Sequence, residues 1–124
     1  MGKGLALQFK KAFPDMFKDY VRACRAGEVA PGRIHVVETR RPHGPKFVMN
    51  FPTKRHWRDS SRMEDIEAGL QALVNEVERR GIRSLAVPAL GSGLGGLPWP
   101  EVRLRIERAF RATEGVRVLV FEPL

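Results

Sequence analysis

The stretch Ser84-Leu85-Ala86-Val87-Pro88-Ala89-Leu90-Gly91-Ser92-Gly93-Leu94-Gly95-Gly96-Leu97-Pro98-Trp99 decides how the chain is read. Its apolar start, Ser84 to Pro88, predicts a short buried strand, and Pro98 opens a helix. Between them, four glycines fall within the six residues Gly91 to Gly96. Without β-carbons this backbone can take positive φ and come close to a ligand. Successive N–H groups then converge on an anion, helped by the positive pole of the following helix. The expectation is a phosphate cradle, of a size for a diphosphate.

Outward from the loop the pattern alternates. Downstream, Val102, Ile106, Ala109 and Phe110 mark a helix face, and Val116 to Phe121 a final strand apolar enough to be buried on both faces. Upstream, Met63, Ile66, Leu70, Leu73, Val74 and Val77 share one face of a long helix. Ser61 with Glu64 reads as its capping box, Arg79 and Arg80 suit its negative pole, and Gly81 ends it. Before that helix lies a strand, Lys46 to Phe51. Strand, helix, strand, helix, strand predicts an α/β fold with a mixed, largely parallel sheet. Ligands in such folds sit beyond the carboxyl ends of the strands. That edge holds both the glycine loop and the loop Thr53 to Arg58.

The first third is less regular. Leu5, Ala6, Phe9, Ala12 and Phe13 recur at helical spacing. Pro14 and Asp15 punctuate, and a second helix runs through Met16, Phe17, Tyr20, Val21 and Cys24 to Gly27. Pro31-Gly32 turns the chain into a strand, Ile34 to Glu38, joined by the polar run Arg40 to Pro45 to the strand at Lys46 in a hairpin-like loop.

The totals set limits. With 124 residues, 43% of them hydrophobic, the chain suits one globular domain. No run approaches the roughly 18–20 apolar residues of a membrane span, and the start lacks the features of a secretory signal. The single cysteine, Cys24, excludes an internal disulfide framework and suits a reducing cytoplasm. It reads as a small buried residue of a helix. Charge is uneven: residues 1–62 carry 14 Lys/Arg against 5 Asp/Glu, and residues 63–124 carry 8 against 9. A basic half of this kind favours polyanions.

Gly91, Gly93 and Gly96 match G-x-G-x-x-G, and Glu122 closes the next strand as a ribose-binding acid would. Against a dinucleotide enzyme, a single βαβ unit surrounds the loop where such a domain uses two halves. His35, His43 and His56 lack metal-ligand spacing, and no phosphate-loop lysine motif occurs. Lys54 stands among Arg55, His56 and Arg58, whose charges would lower its pKa and favour a neutral amine. Trp57 beside them could stack on a base or pack in the core.

Two stretches, Gly2-Lys3-Gly4-Leu5-Ala6-Leu7-Gln8-Phe9-Lys10 and Pro88 to Trp99, with Asn50-Phe51-Pro52-Thr53-Lys54 between them, resemble the macrodomain family. The likeness spans essentially the whole chain. It is nearest to the antitoxin macrodomains that remove ADP-ribose from DNA, with the animal ADP-ribose glycohydrolases as close relatives. It implies a three-layer α/β/α fold and a hydrolase that needs no metal or cofactor. The implied substrate is ADP-ribose on thymine in single-stranded DNA, and the implied partner is a DNA ADP-ribosyltransferase toxin. By this likeness Lys54 acts at the anomeric carbon of the distal ribose, as nucleophile or as base. Gly2, Lys3 and Gly4 border that ribose. Pro88, Ala89, Leu90, Gly91, Ser92, Gly93, Leu94, Gly95 and Gly96 wrap the diphosphate and ribose. Arg55, His56, Trp57 and Arg58 would then meet the DNA strand, in a cytoplasmic monomer without membrane contact.

Two departures accompany the resemblance. Gly95 stands where the animal relatives carry an aspartate, which leaves proton handling to water, substrate or backbone. Family members also place a strand, helix and strand of roughly 25–30 residues ahead of the Gly-Lys-Gly element. Here Met1 stands where that piece should be ending, and the expectation is weaker ADP-ribose binding if nothing replaces it. A non-catalytic ADP-ribose reader and a basic nucleic-acid-binding domain are the alternatives.

Overall fold

The computed structural model describes residues 14–26, 29–40, 42–55 and 59–123. Contacts gather the chain into two compact units, Met1–Ala30 with His35–Asn50, and Pro31–Ile34 with Phe51–Leu124.

In the first unit, helix α1 spans Pro14–Arg25. Pro14 opens this helix instead of breaking it, since the first helical position needs no N–H donor. Asp15 in its first turn and Arg22 and Arg25 in its last complement the helix dipole. Ala23 is fully buried. Cys24, expected inside, is exposed one position further round the helix. Strands β1 (His35–Glu38) and β2 (Phe47–Asn50) pair antiparallel, with His35 opposite Asn50 and Glu38 opposite Phe47. The expected hairpin is present. Its loop is held by the Thr39 hydroxyl donating to the Pro45 carbonyl at 2.7 Å and by Thr39 N–H donating to the Lys46 carbonyl at 2.9 Å. At the closed end, Asn50 Nδ2 donates to His35 Nδ1 at 3.0 Å, and His35 Nε2 donates to Asp19 Oδ2 at 3.1 Å. One imidazole thus links α1, β1 and β2.

The second unit contains α2 (Met63–Arg80), β3 (Ser84–Val87), a 3₁₀ turn (Gly93–Gly95), α3 (Trp99–Phe110) and β4 (Arg117–Val120). β3 and β4 pair in parallel, Ser84 opposite Arg117 and Val87 opposite Val120, with α3 as the crossover. The described strands thus form two two-stranded sheets, one antiparallel and one parallel. α2 ends as its sequence predicts. Gly81 takes the left-handed conformation (φ 64°), and Ile82 N–H donates back to the Val77 carbonyl at 3.0 Å. Its inward stripe, Ile66, Leu70, Leu73, Val74 and Val77, forms the core with Val87, Val102, Ile106 and Phe110. Each such side chain contributes about 1.5–3 kcal/mol through burial.

β4 corrects one expectation. It is not buried on both faces: Val118 and Val120 are half-buried, whereas Leu119 is 46% and Phe121 56% exposed. Side chains alternate along a strand, so Val118 and Val120 share one face, where with Trp99, Ile106 and Phe110 of α3 they line a cavity of about 470 Å³.

Candidate active site

The N-terminal half of α2 holds both loops singled out by the sequence. The first is the segment leaving β2. At its start, the ring of Phe51 lies against Gly69, where a β-carbon would meet Cε1 at 2.7 Å and Cε2 at 3.0 Å. Pro52 fixes one further backbone angle. At its end, Arg55 meets Asp65 side-on, with Nε–H donating to Oδ2 and Nη2–H to Oδ1, both at 3.1 Å. Asp65 is 7% exposed. The hydrogen bond to Asp65, then the carboxylate's charge, raise the Arg55 pKa above its ordinary value, with a lesser contribution from Glu64. Lys54, half-buried, lies between the two anchors.

The second is the glycine loop. Gly91 has φ 69°, and a β-carbon there would stand 2.7 Å from Leu97 Cδ1 and 3.0 Å from Ile66 Cδ1. Both the backbone angle and the crowding demand glycine. The loop closes on itself through Leu97 N–H donating to the Gly91 carbonyl at 2.9 Å. It is fastened to the segment leading into α2 by Ser61 N–H, which donates to the Gly95 carbonyl at 3.0 Å. Gly95 lies directly against the Ser61 hydroxyl. Among the described residues, the N–H groups of Gly91, Gly93 and Leu94 donate to no backbone carbonyl. Those are the donors an anion would need.

This arrangement overturns the expected capping box. The N-cap is Arg62, extended and without a side-chain cap, and Ser61 is turned aside to the glycine loop. Its hydroxyl is buried there without a hydrogen-bond partner. Ser92 Oγ, within the glycine loop, is the other such hydroxyl among the described residues. Buried polar groups are normally satisfied, so an exception marks a site of interest. Both exceptions lie at one bend.

Of the other residues expected at the site, Leu90, Gly91, Ser92 and Gly95 are buried, Ala89 is half-buried, and Pro88, Gly93 and Gly96 are exposed. Arg55, expected at DNA, is half-exposed and spends its fork of donors on Asp65. Gly2, Lys3, Gly4, His56, Trp57 and Arg58 lie outside the described residues. Three residues of the site escaped sequence reasoning: Ser61 as a loop contact, Asp65 and Gly69. A signal existed for Asp65, which sits beside Ile66 and one turn before Gly69 on the inward side of an amphipathic helix.

A parallel βαβ unit with a glycine-rich bend after its first strand defines an α/β protein. The Macro domain family model matches residues 1–106, and the chain belongs to that family. It is 54% identical over its full length to a Thermus aquaticus protein named DNA ADP-ribosyl glycohydrolase, of which it spans 34%. Among solved structures, the DarG macrodomain of Mycobacterium tuberculosis superposes with a TM-score of 0.98 at 46% identity, covering all of this chain and 82% of that one. Thermosipho africanus DarTG, solved with ADP-ribose, superposes with a TM-score of 0.88 at 36% identity, over 98% of this chain and 34% of that one. From that organism too, a protein named as a fusion of a DNA ADP-ribosyl transferase and a DNA ADP-ribosyl glycohydrolase is 39% identical over 80% of this chain and 29% of its own length.

Proposed function

We propose that the chain is an ADP-ribosyl glycohydrolase module that removes ADP-ribose from thymine bases of single-stranded DNA. It would act as the antitoxin to a DNA ADP-ribosyltransferase. One observation carries the reading: the Lys54 segment and the glycine loop are both held at the start of α2, the first through Phe51–Gly69 and Arg55–Asp65, the second through Ile66–Gly91 and through Ser61, two residues before the helix, on Gly95. The names of the similar Thermus and Thermosipho proteins support the reaction, and the Thermosipho ADP-ribose complex supports the ligand.

In this reading Gly91, Gly93 and Leu94 N–H groups hold the diphosphate, and Lys54 works at the anomeric carbon of the distal ribose. As a nucleophile, its amine nitrogen bonds the anomeric carbon as the base leaves with the bonding pair, the amine's proton passes to solvent, and water then displaces the amine to release the sugar. As a base, it takes the proton of the attacking water. Gly95 offers no acid, so the leaving base is protonated by solvent. The basic N-terminal half steers the DNA, and a monomer in the cytoplasm suffices.

Incubation with an oligonucleotide ADP-ribosylated at thymine tests this. Wild-type protein should release ADP-ribose, and Lys54→Ala should lose turnover by at least about 100-fold while keeping ADP-ribose binding. Equal turnover by both would remove Lys54 from the reaction. A borohydride-trapped sugar adduct on Lys54 would select nucleophile over base.

A further inference from the structure

We infer that Asp65 is a positioning residue for Lys54, acting through Arg55. The inference rests on the reading of Lys54 as the catalytic group. The Asp65 carboxylate accepts two parallel hydrogen bonds from Arg55, the residue that follows Lys54. A buried carboxylate on the inward side of a helix carries a desolvation cost, which ties Asp65 to the Arg55 guanidinium that offsets it. The double bond to a planar guanidinium fixes direction as well as distance, which a single ion pair would not.

Geometry supplies the positioning role. The segment 51–55 is pinned at one end by Phe51 on Gly69 and at the other by Arg55 on Asp65. Gly69 and Asp65 are one helical turn apart on α2, about 6 Å along its surface. A five-residue segment held at two points this close, with Pro52 inside it, has little freedom left at Lys54. Release of the Asp65 end would leave Lys54 on a segment tethered from one side. Catalytic groups displaced by about 1 Å can lose about 100-fold in rate. Ligand held by the glycine loop would be unaffected, because that loop is fastened through Ser61 and Ile66.

Asp65→Asn, Arg55→Lys and Asp65→Glu separate these effects. Asp65→Asn and Arg55→Lys should lower kcat by about 10- to 100-fold, with KM and the ADP-ribose Kd changed less than about threefold. Asp65→Glu, which keeps the carboxylate, should recover most of the rate. A wild-type kcat in Asp65→Asn overturns the inference, and so does a parallel loss of kcat and ADP-ribose binding in both Asp65 variants. If wild-type protein itself fails to turn over, the catalytic reading fails, and positioning is read from Lys54 acylation by an amine reagent, mapped by mass spectrometry. Asp65→Asn should then change the Lys54 labelling rate, relative to Lys46, by about fivefold or more. An unchanged ratio would sink the inference there too.

Discussion

The ring of Phe51 fills the space that a β-carbon on Gly69 would need. This glycine sits in the interior of an 18-residue helix, where glycine normally costs about 1 kcal/mol against alanine. Here the helix gives up that energy to let an aromatic ring approach. Gly69→Ala should therefore destabilise despite its better helix propensity, by about 1–3 kcal/mol from overpacking less the propensity gain. Urea denaturation measures it. Adding Phe51→Ala should recover part of the loss, an interaction that a double-mutant cycle would show.

Ser61 should behave in the opposite way. Its hydroxyl is buried at 5% residue exposure without a partner, so Ser61→Ala removes a polar group that nothing satisfies. Thermal melting should be unchanged or higher, with the difference within about 1 kcal/mol. Gly95→Ala, by contrast, drives a methyl group into that hydroxyl and should lower the melting temperature. Combined with Ser61→Gly, much of the loss should return.

Burial ranks the apolar residues. Ile66 is fully buried beneath Gly91, so Ile66→Ala should cost about 2–5 kcal/mol and loosen the glycine loop. Phe121, 56% exposed, sits at the other extreme. Phe121→Ser should cost less than about 1 kcal/mol and reduce self-association at high concentration. Chemical denaturation and light scattering distinguish the two.

His35 offers a spectroscopic check. Accepting from Asn50 at Nδ1 and donating to Asp19 from Nε2 requires the neutral tautomer with its proton on Nε2. Nitrogen-15 imidazole shifts near neutral pH should report that tautomer. Asn50→Ala should destabilise by about 1 kcal/mol, since the part-buried Nδ1 loses its donor while Asp19 still holds the proton at Nε2.

Much of this was legible in the residues. The period-3.6 stripes of α2 and α3 are long and clean, and the structure keeps nearly every apolar position inward. The glycine loop was legible because positive φ and close approach leave few substitutes for glycine. What failed did so through tertiary competition. Ser61 and Glu64 have the spacing of a capping box, but the Gly95 carbonyl claims the Ser61 N–H and the helix starts one residue later than that box requires. Val116 to Phe121 looked buried throughout, because apolar content alone does not say how many faces of a strand are covered. Cys24 and Ala23 are neighbours of similar apolar character, and only the phase of α1 sets which one is inside. The Arg55–Asp65 pair joins a loop to a helix ten positions on, and no local pattern encodes such a reach.

A single helix that mounts both loops has a consequence for protein engineering. Neither loop can be transplanted to another scaffold as a peptide insertion, because each takes its shape from α2. The smallest portable piece is residues 51–70 together with 88–97, with Asp65, Gly69 and Ser61 kept as fixtures. A graft carrying the glycine bend alone would inherit its sequence and lose its aim.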